Sequence, residues 1–476
     1  MDINTFSERK KNFYSHFEKL SKTYPKYKNR FKYYWKLIIR QCNYFITSDS
    51  SVLEIGCGTG ETLVRLNGSR KVGLDFSAGM INIARENFPD LEFIIQDAEN
   101  ITLDEKFDVI VLNNVIGYFD DVQKVFSSLH KVCHNRTKIV IVYYNYLWEP
   151  ILKLGELLGI KKRSYKQNWL SNHDIKNLLY LANLDPYKFQ LQTLIPIYIP
   201  VISYFFNKII ARLPLLDNFC INQFIYARPV GEIEDGEEYQ TSIVVPARNE
   251  SGNVEDAILR TPNFGKSIEL IFIEGGSTDD TWEKIKEMQH KYPDKNIKIG
   301  QQDGKGKGNA VRKGFDMATG DILMILDADL TVPPEDLPKF YDALSNGKGD
   351  FINGARLVYP MEKRAMRFLN LLGNKFFSML FSWLLAQPIK DTLCGTKVLF
   401  KKDYEKLIAN RSFFGNFDPF GDFDLLFGAY KLNLKIIDLP IRYRERLYGD
   451  TNISRFKHGF ILLKMSAYAA RKIKFY

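Results

Sequence analysis

The chain is 476 residues long, too long for one ordinary hydrophobic core, and carries a formal net charge of +10. Its composition, 45% hydrophobic and 26% charged, is that of a globular protein. No low-complexity tract or solenoid-period repeat is found. Five scattered cysteines, Cys42, Cys57, Cys133, Cys220 and Cys394, argue against a disulfide framework and for a reducing compartment.

The first residues, Met1 to Asn4, lead into a polar helical pattern without the apolar stretch of a secretory signal, so a cytoplasmic location is expected. Positive charge then concentrates before residue 50, in Lys10, Lys11, Lys19, Lys28, Lys36 and Arg40 among others. Rings interleave with it: Phe13, Tyr14, Phe17, Tyr24, Tyr34 and Trp35. Such a segment can bind nucleic acid or an anionic surface. With no nucleic-acid motif beside it, the favoured expectation is an amphipathic helical lid whose rings pack on the next domain.

Val52–Ile55 is a short apolar run closed by a Gly-rich turn, and a helix is expected to start over Glu61–Leu66. Further strands are expected at Lys71–Leu74, Leu91–Ile95, Phe107–Leu112 and Lys138–Tyr144, with a helix around Met80–Asn87 capped by Ser77. This alternation predicts a parallel, doubly wound sheet. After a helix at Asp174–Ala182, the runs Tyr187–Thr193 and Gln223–Ala227 supply a closing strand pair, with residues 194–216 inserted between them.

In Glu54-Ile-Gly56-Cys-Gly58-Thr-Gly60 the glycines allow a sharp turn and close approach to a ligand. Asp75, 19 residues beyond Gly56, has the spacing of a carboxylate that accepts ribose hydroxyls. Strand, turn and acid in order point to a bound nucleoside. Over about 45–229 the chain resembles class I S-adenosylmethionine-dependent methyltransferases. The resemblance rests on Val52–Gly60, Gly73–Met80, Gln96-Asp97-Ala98 and Leu112–Asp120. It implies cofactor contacts from Glu54, Gly56, Gly58, Asp75, Asp97 and Asn113, beneath the basic N-terminal helices. Positioning supplies most of the catalysis in such a displacement. His173 is a candidate base, though a surface histidine at a helix start is favoured. His130 and His134 have i, i+4 ligand spacing around Cys133, but without further ligands a solvated helix end is expected.

Pro229–Tyr239 is acidic and unpatterned, and marks a linker. The expected domains are 1–229 and 240–476, joined by 230–239. Beyond it, strands are expected at Thr241–Val245, Glu269–Ile273, Ile297–Gly300 and Ile322–Leu326. They alternate with helices at Val254–Leu259, Thr281–Lys291 and Asn309–Met317. Asp327 and Asp329 follow the last of these strands, where two carboxylates can hold a hard cation that also grips a diphosphate, or can cap the helix at Pro334–Leu344.

The motifs Ser242–Glu250, Ile273–Thr281, Gly304–Ala310, Ile325–Leu330, Asp391–Lys397 and Phe420–Leu426 occur in order. Together, over about 240–456, they resemble family 2 glycosyltransferases of the GT-A fold, in the branch that acts on polyprenyl phosphates. The resemblance implies that Pro246, Arg248, Glu250 and Glu274 line the nucleotide. It implies further that Lys305 and Arg312 neutralise phosphates, and that Asp327 and Asp329 bind Mg or Mn. Asp422 or Asp424 would serve as base for a hydroxyl acceptor, while a phosphate acceptor needs none. Glu274-Gly275 stands where the family usually has paired aspartates. Arg442, Arg444, Arg446, Tyr448, Asn452 and Arg455 cluster after the last expected strand, as a phosphate clamp or a solvated basic face.

The expected fold class is therefore α/β, with two Rossmann-like domains: a class I methyltransferase fold, then a GT-A glycosyltransferase fold. The expected protein is a bifunctional transferase of glycan or glycolipid biosynthesis, with metal-dependent inverting sugar transfer from a nucleotide-sugar to a glycan or lipid-phosphate acceptor. It would also methylate the glycan or a precursor from S-adenosylmethionine. The alternative is a polyprenyl-phosphate glycosyltransferase whose methyltransferase domain is regulatory or inactive. No nucleic-acid partner is expected. The apolar stretches 194–216 and 368–389 are interrupted by Pro, Asn and Lys, so spanning is not expected. For 368–389 and 457–475, docking on the inner face of an anionic membrane and ordinary packing both stay open.

Overall fold

The structure, a computed structural model, describes residues 6–159, 165, 167–230, 238–356, 368–409, 421–442, 444, 448 and 455–475. The chain forms two compact units, Met1–Gly231 and Glu232–Lys474. Most of the expected linker, residues 231–237, lies outside the described residues.

The first unit opens with α1 (Glu8–Ser21), α2 (Tyr24–Arg30) and α3 (Lys32–Asn43). Its core alternates β1 (Ser51–Ile55), β2 (Arg70–Asp75), α4 (Ala78–Asn87), β3 (Glu92–Ile95), β4 (Phe107–Asn113), α5 (Val122–Ser128) and β5 (Cys133–Tyr144). Then come α6 (Glu149–Leu157), α7 (Asn172–Leu181), β6 (Leu184–Gln192), α8 (Ile202–Lys208) and β7 (Asn222–Pro229). The sheet order is β3-β2-β1-β4-β5-β7-β6. The first five strands pair in parallel, and β7 and β6 close the edge antiparallel. Val52, Leu53 and Ile55 on β1 and Ile139 and Ile141 on β5 are fully buried, as strands covered on both faces require. Ser77 caps α4 by accepting from Met80 N at 3.2 Å, and a reciprocal Ser171–Asp174 box starts α7.

Two expectations are not met in full here. No α-helix follows the Gly-rich turn; Leu63–Arg65 forms one 3-10 turn instead. The carbonyls that would continue a helix are taken by side chains, those of Val64 and Leu66 by Lys71 and that of Arg65 by Asn43. The histidine pair lies only in part on a helix end, because His130 is in the 3-10 turn Leu129–Val132 that follows α5 while β5 already begins at Cys133 and carries His134. His134 turns to Asp108 at 3.3 Å, and His130 contacts the Ala182 carbonyl at 2.7 Å.

The second unit contains β8 (Gln240–Ala247), α9 (Val254–Arg260), β9 (Ser267–Glu274), α10 (Thr281–Lys291), β10 (Ile297–Gln301), α11 (Lys307–Met317) and β11 (Ile322–Ile325). They are followed by α12 (Leu337–Ser345), β12 (Phe351–Ala355), α13 (Phe368–Leu385), β13 (Lys397–Phe400), α14 (Lys401–Ala409), α15 (Asp422–Lys431), β14 (Ile436–Pro440) and α16 (Arg455–Ile473). Its sheet order is β10-β9-β8-β11-β13-β12-β14, with β13 antiparallel to both neighbours. The stretch 368–389 is largely a helix, α13, which packs on α16 and buries Phe377, Phe381, Leu384 and Leu385. Among the described residues no helix is long and apolar enough to cross a membrane.

In both sheets the first four strands run third, second, first, fourth. The strand order reverses between the first and fourth strands, which run parallel, and this opens a crevice at their carboxyl ends, the place where α/β sheets bind ligands. In the second unit α11 reaches that crevice by lying directly on β8. A Cβ at Gly314 would overlap the Val244 side chain.

Gly314→Ala is therefore expected to destabilise the second unit by about 1–3 kcal/mol through overpacking. That outweighs alanine's helix preference of about 1 kcal/mol. Thermal denaturation should show a lowered Tm, with part of the loss recovered in Gly314→Ala/Val244→Ala.

Candidate active sites

The crevice of the first unit is a cavity lined by Gly56, Gly58, Asp75, Asp97 and Asn113. Gly56, Gly58 and Gly60 all take positive φ, and a Cβ at Gly56 would overlap Val115. The turn is tied to β2 by Gly56 N and Cys57 N, which donate to the Leu74 carbonyl at 2.7 and 3.1 Å. Asp75 is buried and accepts from Gly58 N and Ser77 N, each at 2.9 Å. Burial nonetheless outweighs these bonds and pushes its carboxyl up to about 6. Glu54, one strand inward, is pushed up to about 8, by burial first and against the opposing charge of Lys28. Its Oε2 has no hydrogen-bond partner and it does not line the cavity. The Cys57 thiol, buried in the turn, is held well above its usual range, by burial first and then by Asp75.

The N-terminal helices close over this cavity. Lys10 on α1 sits 2.5 Å from Asp97 and 2.8 Å from Glu99. Glu18 on the same helix accepts from Ser77 Oγ at 2.7 Å and from Gly79 N at 3.0 Å, placing negative charge at the start of α4. Phe17 meets Phe76 and Tyr118 edge-on, and Phe13 meets Tyr118. Lys28 on α2 donates to Thr62 Oγ1 and stacks over Trp35. The rings and several cations of this segment are thus used in the fold, as the lid reading expects. Lys10 and Glu18 were not singled out by sequence reasoning. The excess charge before residue 50 was visible, but partners 87 and 59 residues away were not. His173 is exposed on the first turn of α7, as expected.

In the second unit the turn after β8 is built by side chain-to-backbone bonds. Asn249, at φ 56°, accepts from Thr278 N at 2.8 Å, while Glu250 N donates to Thr281 Oγ1 at 3.0 Å. Glu250 is buried and accepts from Asn253 at 2.8 Å. Glu274 is also buried, and accepts from Ser277 N at 2.5 Å and from Gln301 at 3.1 Å. It thereby shapes the turn where the family has paired aspartates. Tyr448 reaches this turn from the C-terminal side, packing on Gly252 with its hydroxyl 3.1 Å from Ser251 Oγ. Arg444 N donates to the Thr331 carbonyl at 3.0 Å, next to Asp329. Arg442 and Arg444 are exposed there. Arg446, Asn452, Phe420 and the side chains of Asp422 and Arg455 lie outside the described residues.

Asp327 is the electrostatic centre. Burial alone would raise its carboxyl, but Lys307 at 2.6 Å, aided by Lys397 and Arg356, holds it below the usual range. Arg356 grips the fully buried Asp391 through Nε at 2.7 Å and Nη2 at 2.8 Å. A Cβ at Gly395 would overlap both Asp327 and Lys307, so the ion pair rests on bare backbone. Asp329 Oδ1 accepts from Thr331 N and Oγ1 at 3.1 and 2.8 Å. One turn and more along α11 from Lys307, Arg312 lies 3.7 Å from Asp424, where Gly421 packs on Gly308. One helix therefore presents cations to both acidic motifs. Lys305 is exposed in the turn before it. Among the described residues no group of three His, Cys, Asp or Glu could hold a metal alone.

Comparison with known proteins agrees with this division. A methyltransferase domain family matches residues 46–192, and glycosyl transferase family 2 matches residues 242–408. Dolichol-phosphate mannosyltransferase of Pyrococcus furiosus is 31% identical over 251 residues, which span 50% of this chain and 67% of that protein. An undecaprenyl-phosphate 4-deoxy-4-formamido-L-arabinose transferase of Edwardsiella ictaluri is 29% identical over 222 residues, covering 45% of this chain and 63% of that protein. Among solved structures, an S-adenosylmethionine-dependent methyltransferase of Thermotoga maritima superposes with a TM-score of 0.36 at 16% identity, over 45% of this chain and 99% of that one. The chain belongs to glycosyltransferase family 2, and joins that domain to a methyltransferase domain.

The raised Asp75 carboxyl has a signed consequence. Its contribution to stability falls as pH rises from its usual value of 3.8 through about 6, because the folded state holds the proton longer. With Asp75 as the ribose-binding acid that the family resemblance implies, the ionised carboxylate is the stronger acceptor, and cofactor affinity is expected to rise over the same window. Titration calorimetry with S-adenosylmethionine between about pH 5 and pH 8 is expected to show tighter binding above about pH 6, and Asp75→Asn should flatten that profile.

Proposed function

We propose that the chain transfers a sugar from a nucleotide-sugar to a lipid-phosphate acceptor and methylates the glycan or a precursor, working in the cytoplasm at the inner face of a membrane. The observation that carries the first activity is the ionised, lysine-paired Asp327 at the carboxyl end of β11, at the start of the Asp327–Asp329 motif. The acceptor class is suggested by the relatives, which are named for dolichol phosphate and undecaprenyl phosphate.

The residues present suit a hard divalent cation. Asp327 is kept ionised, Asp329 lies two residues on, and two protein carboxylates leave the other ligand positions to diphosphate oxygens. Mg or Mn held there would neutralise charge on the leaving nucleotide. Around it, Glu250, Glu274, Pro246 and Arg248 shape the nucleotide pocket, and Lys305 faces the phosphates from the turn before α11. Lys307 is released from Asp327 to the donor's phosphates. A phosphate acceptor arrives anionic and needs no base, so Asp424 serves by holding Arg312 in place. With a hydroxyl acceptor, Asp422 or Asp424 would have to take its proton.

In the first unit, Gly56 and Gly58 admit the cofactor backbone, Asp75 takes the ribose hydroxyls, and Asp97 and Asn113 border the base. S-adenosylmethionine would supply an activated methyl group there. Lys10 and the α1 rings exclude water and fix the acceptor's approach. Glu54 acts from behind the turn, not as a direct contact.

Asp329→Ala is expected to lower glycosyl transfer by about 100-fold or more, as removal of a main electrostatic stabiliser does. The measurement is radiolabelled sugar transfer to polyprenyl phosphate from a panel of nucleotide-sugars with Mn. Full metal-dependent turnover in that variant would remove the site from consideration. Methyl transfer is tested separately, by calorimetry with S-adenosylmethionine followed by acceptor methylation. Heat without transfer would leave the first unit a regulatory domain.

A further inference from the structure

Both oxygens of Asp327 are already taken up by the protein. Oδ1 lies 2.6 Å from Lys307 Nζ. Oδ2 sits against Gly395, where a Cβ would overlap it and the ammonium together. Two residues on, Asp329 Oδ1 accepts from Thr331 N and Oγ1 at 3.1 and 2.8 Å. Lys397, fully buried with its Nζ on the Cys394 carbonyl, adds positive potential at Asp327. A divalent cation arriving alone therefore meets an ammonium where it needs a carboxylate oxygen. It would have to displace that ammonium with nothing to receive it, and two cations at such a separation repel strongly.

The lysine is not placed there by its helix. It is the first residue of α11, at the end where the helix dipole disfavours a cation. The backbone around it is fixed. Gly304 N donates to Asn309 Oδ1 at 2.9 Å, and Asn309 N donates to the Gly306 carbonyl at 3.1 Å. Gly421 packs on Gly308, the next residue of the helix. Release of Lys307 thus needs only rotation of a long, unbranched side chain, with no movement of the turn. The side chains of Lys307 and Asp327 are 27% and 25% exposed, so a ligand can reach the pair.

We infer that Lys307 is a built-in counter-ion that keeps free divalent cations off Asp327, so that the metal enters only together with a nucleoside diphosphate. The diphosphate supplies what a lone cation lacks. Its negative charge receives the ammonium, and its oxygens complete the shell that two protein carboxylates leave open. Lys307 is a positioning residue in this role. It sets the order in which metal and donor bind and takes no part in bond making.

The inference rests on the reading of Asp327 and Asp329 as the cation site of sugar transfer, and its test reads binding without turnover. Mn is titrated into the full chain, alone and with UDP, GDP, CDP or dTDP, and the free ion is followed by electron paramagnetic resonance. Wild type is expected to bind Mn at least about 10-fold more tightly with its nucleoside diphosphate than without. Mn alone should bind Lys307→Gln at least about 10-fold more tightly than wild type, while Lys307→Arg keeps the wild-type pattern. Adding Asp327→Asn to Lys307→Gln should remove that gain. Mn alone should also raise the Tm of Lys307→Gln and leave that of wild type unchanged, which shows the variant to be folded. Wild type that binds Mn equally well without nucleotide overturns the inference and leaves the cation site standing. So does Lys307→Gln that binds Mn alone no better than wild type, while wild type still binds it with nucleotide. Wild type that takes no Mn with any of the nucleotides removes the cation site itself, and the inference with it.

Discussion

A carboxylate withdrawn from water at the carboxyl end of parallel strands, fully for Asp75 and in part for Asp327, has to be neutralised, and both halves of this chain are arranged around that requirement. The first unit answers with backbone. Asp75 is cradled by the amides of Gly58 and Ser77, so the positive-φ glycines and the α4 start are consequences of one acid. The second unit answers with a side chain. Lys307 holds Asp327, which obliges α11 to lie tightly on β8 and Gly395 to lack a Cβ. Amides cannot leave, whereas a lysine can. Under the proposed function the first site would therefore suit a neutral hydroxyl pair, and the second an exchange of cations when a highly charged donor arrives.

The strand framework was legible because its strands are covered on both faces. Val52–Ile55 and Lys138–Tyr144 read as apolar runs, and burial required those same residues. Motif order also placed Asp75, Asp97 and Asn113 on one cavity without any knowledge of their distances. The failures were of another kind. The helix expected from Glu61 gives way because Lys71 and Asn43 satisfy its carbonyls, a fact about residues on other elements. The helix end expected at His130 and His134 holds for His130 alone, because the 3-10 turn Leu129–Val132 stops there and β5 starts between them.

Long-range ion pairs were the least legible feature. Nothing local distinguishes Lys10 from Lys11, yet one is buried against Asp97 and Glu99 while the other is exposed. Arg312 read as a phosphate ligand, and the structure sets it beside Asp424, so its role depends on whether that pair opens. Glu274, read as a departure from the family pattern, is explained locally. Its longer side chain reaches Ser277 N and Gln301 and shapes the turn itself.

Cys57 gives the methyltransferase half an internal clock. Its thiol is buried in the cofactor turn and held in the protonated form by that burial and by Asp75. Its sulfur lies against Gly73 on β2, so reagents that need a thiolate can reach it only when the turn parts from that strand. The rate of its alkylation is thus set by how often the turn opens, and the protein carries a natural gauge of its own breathing.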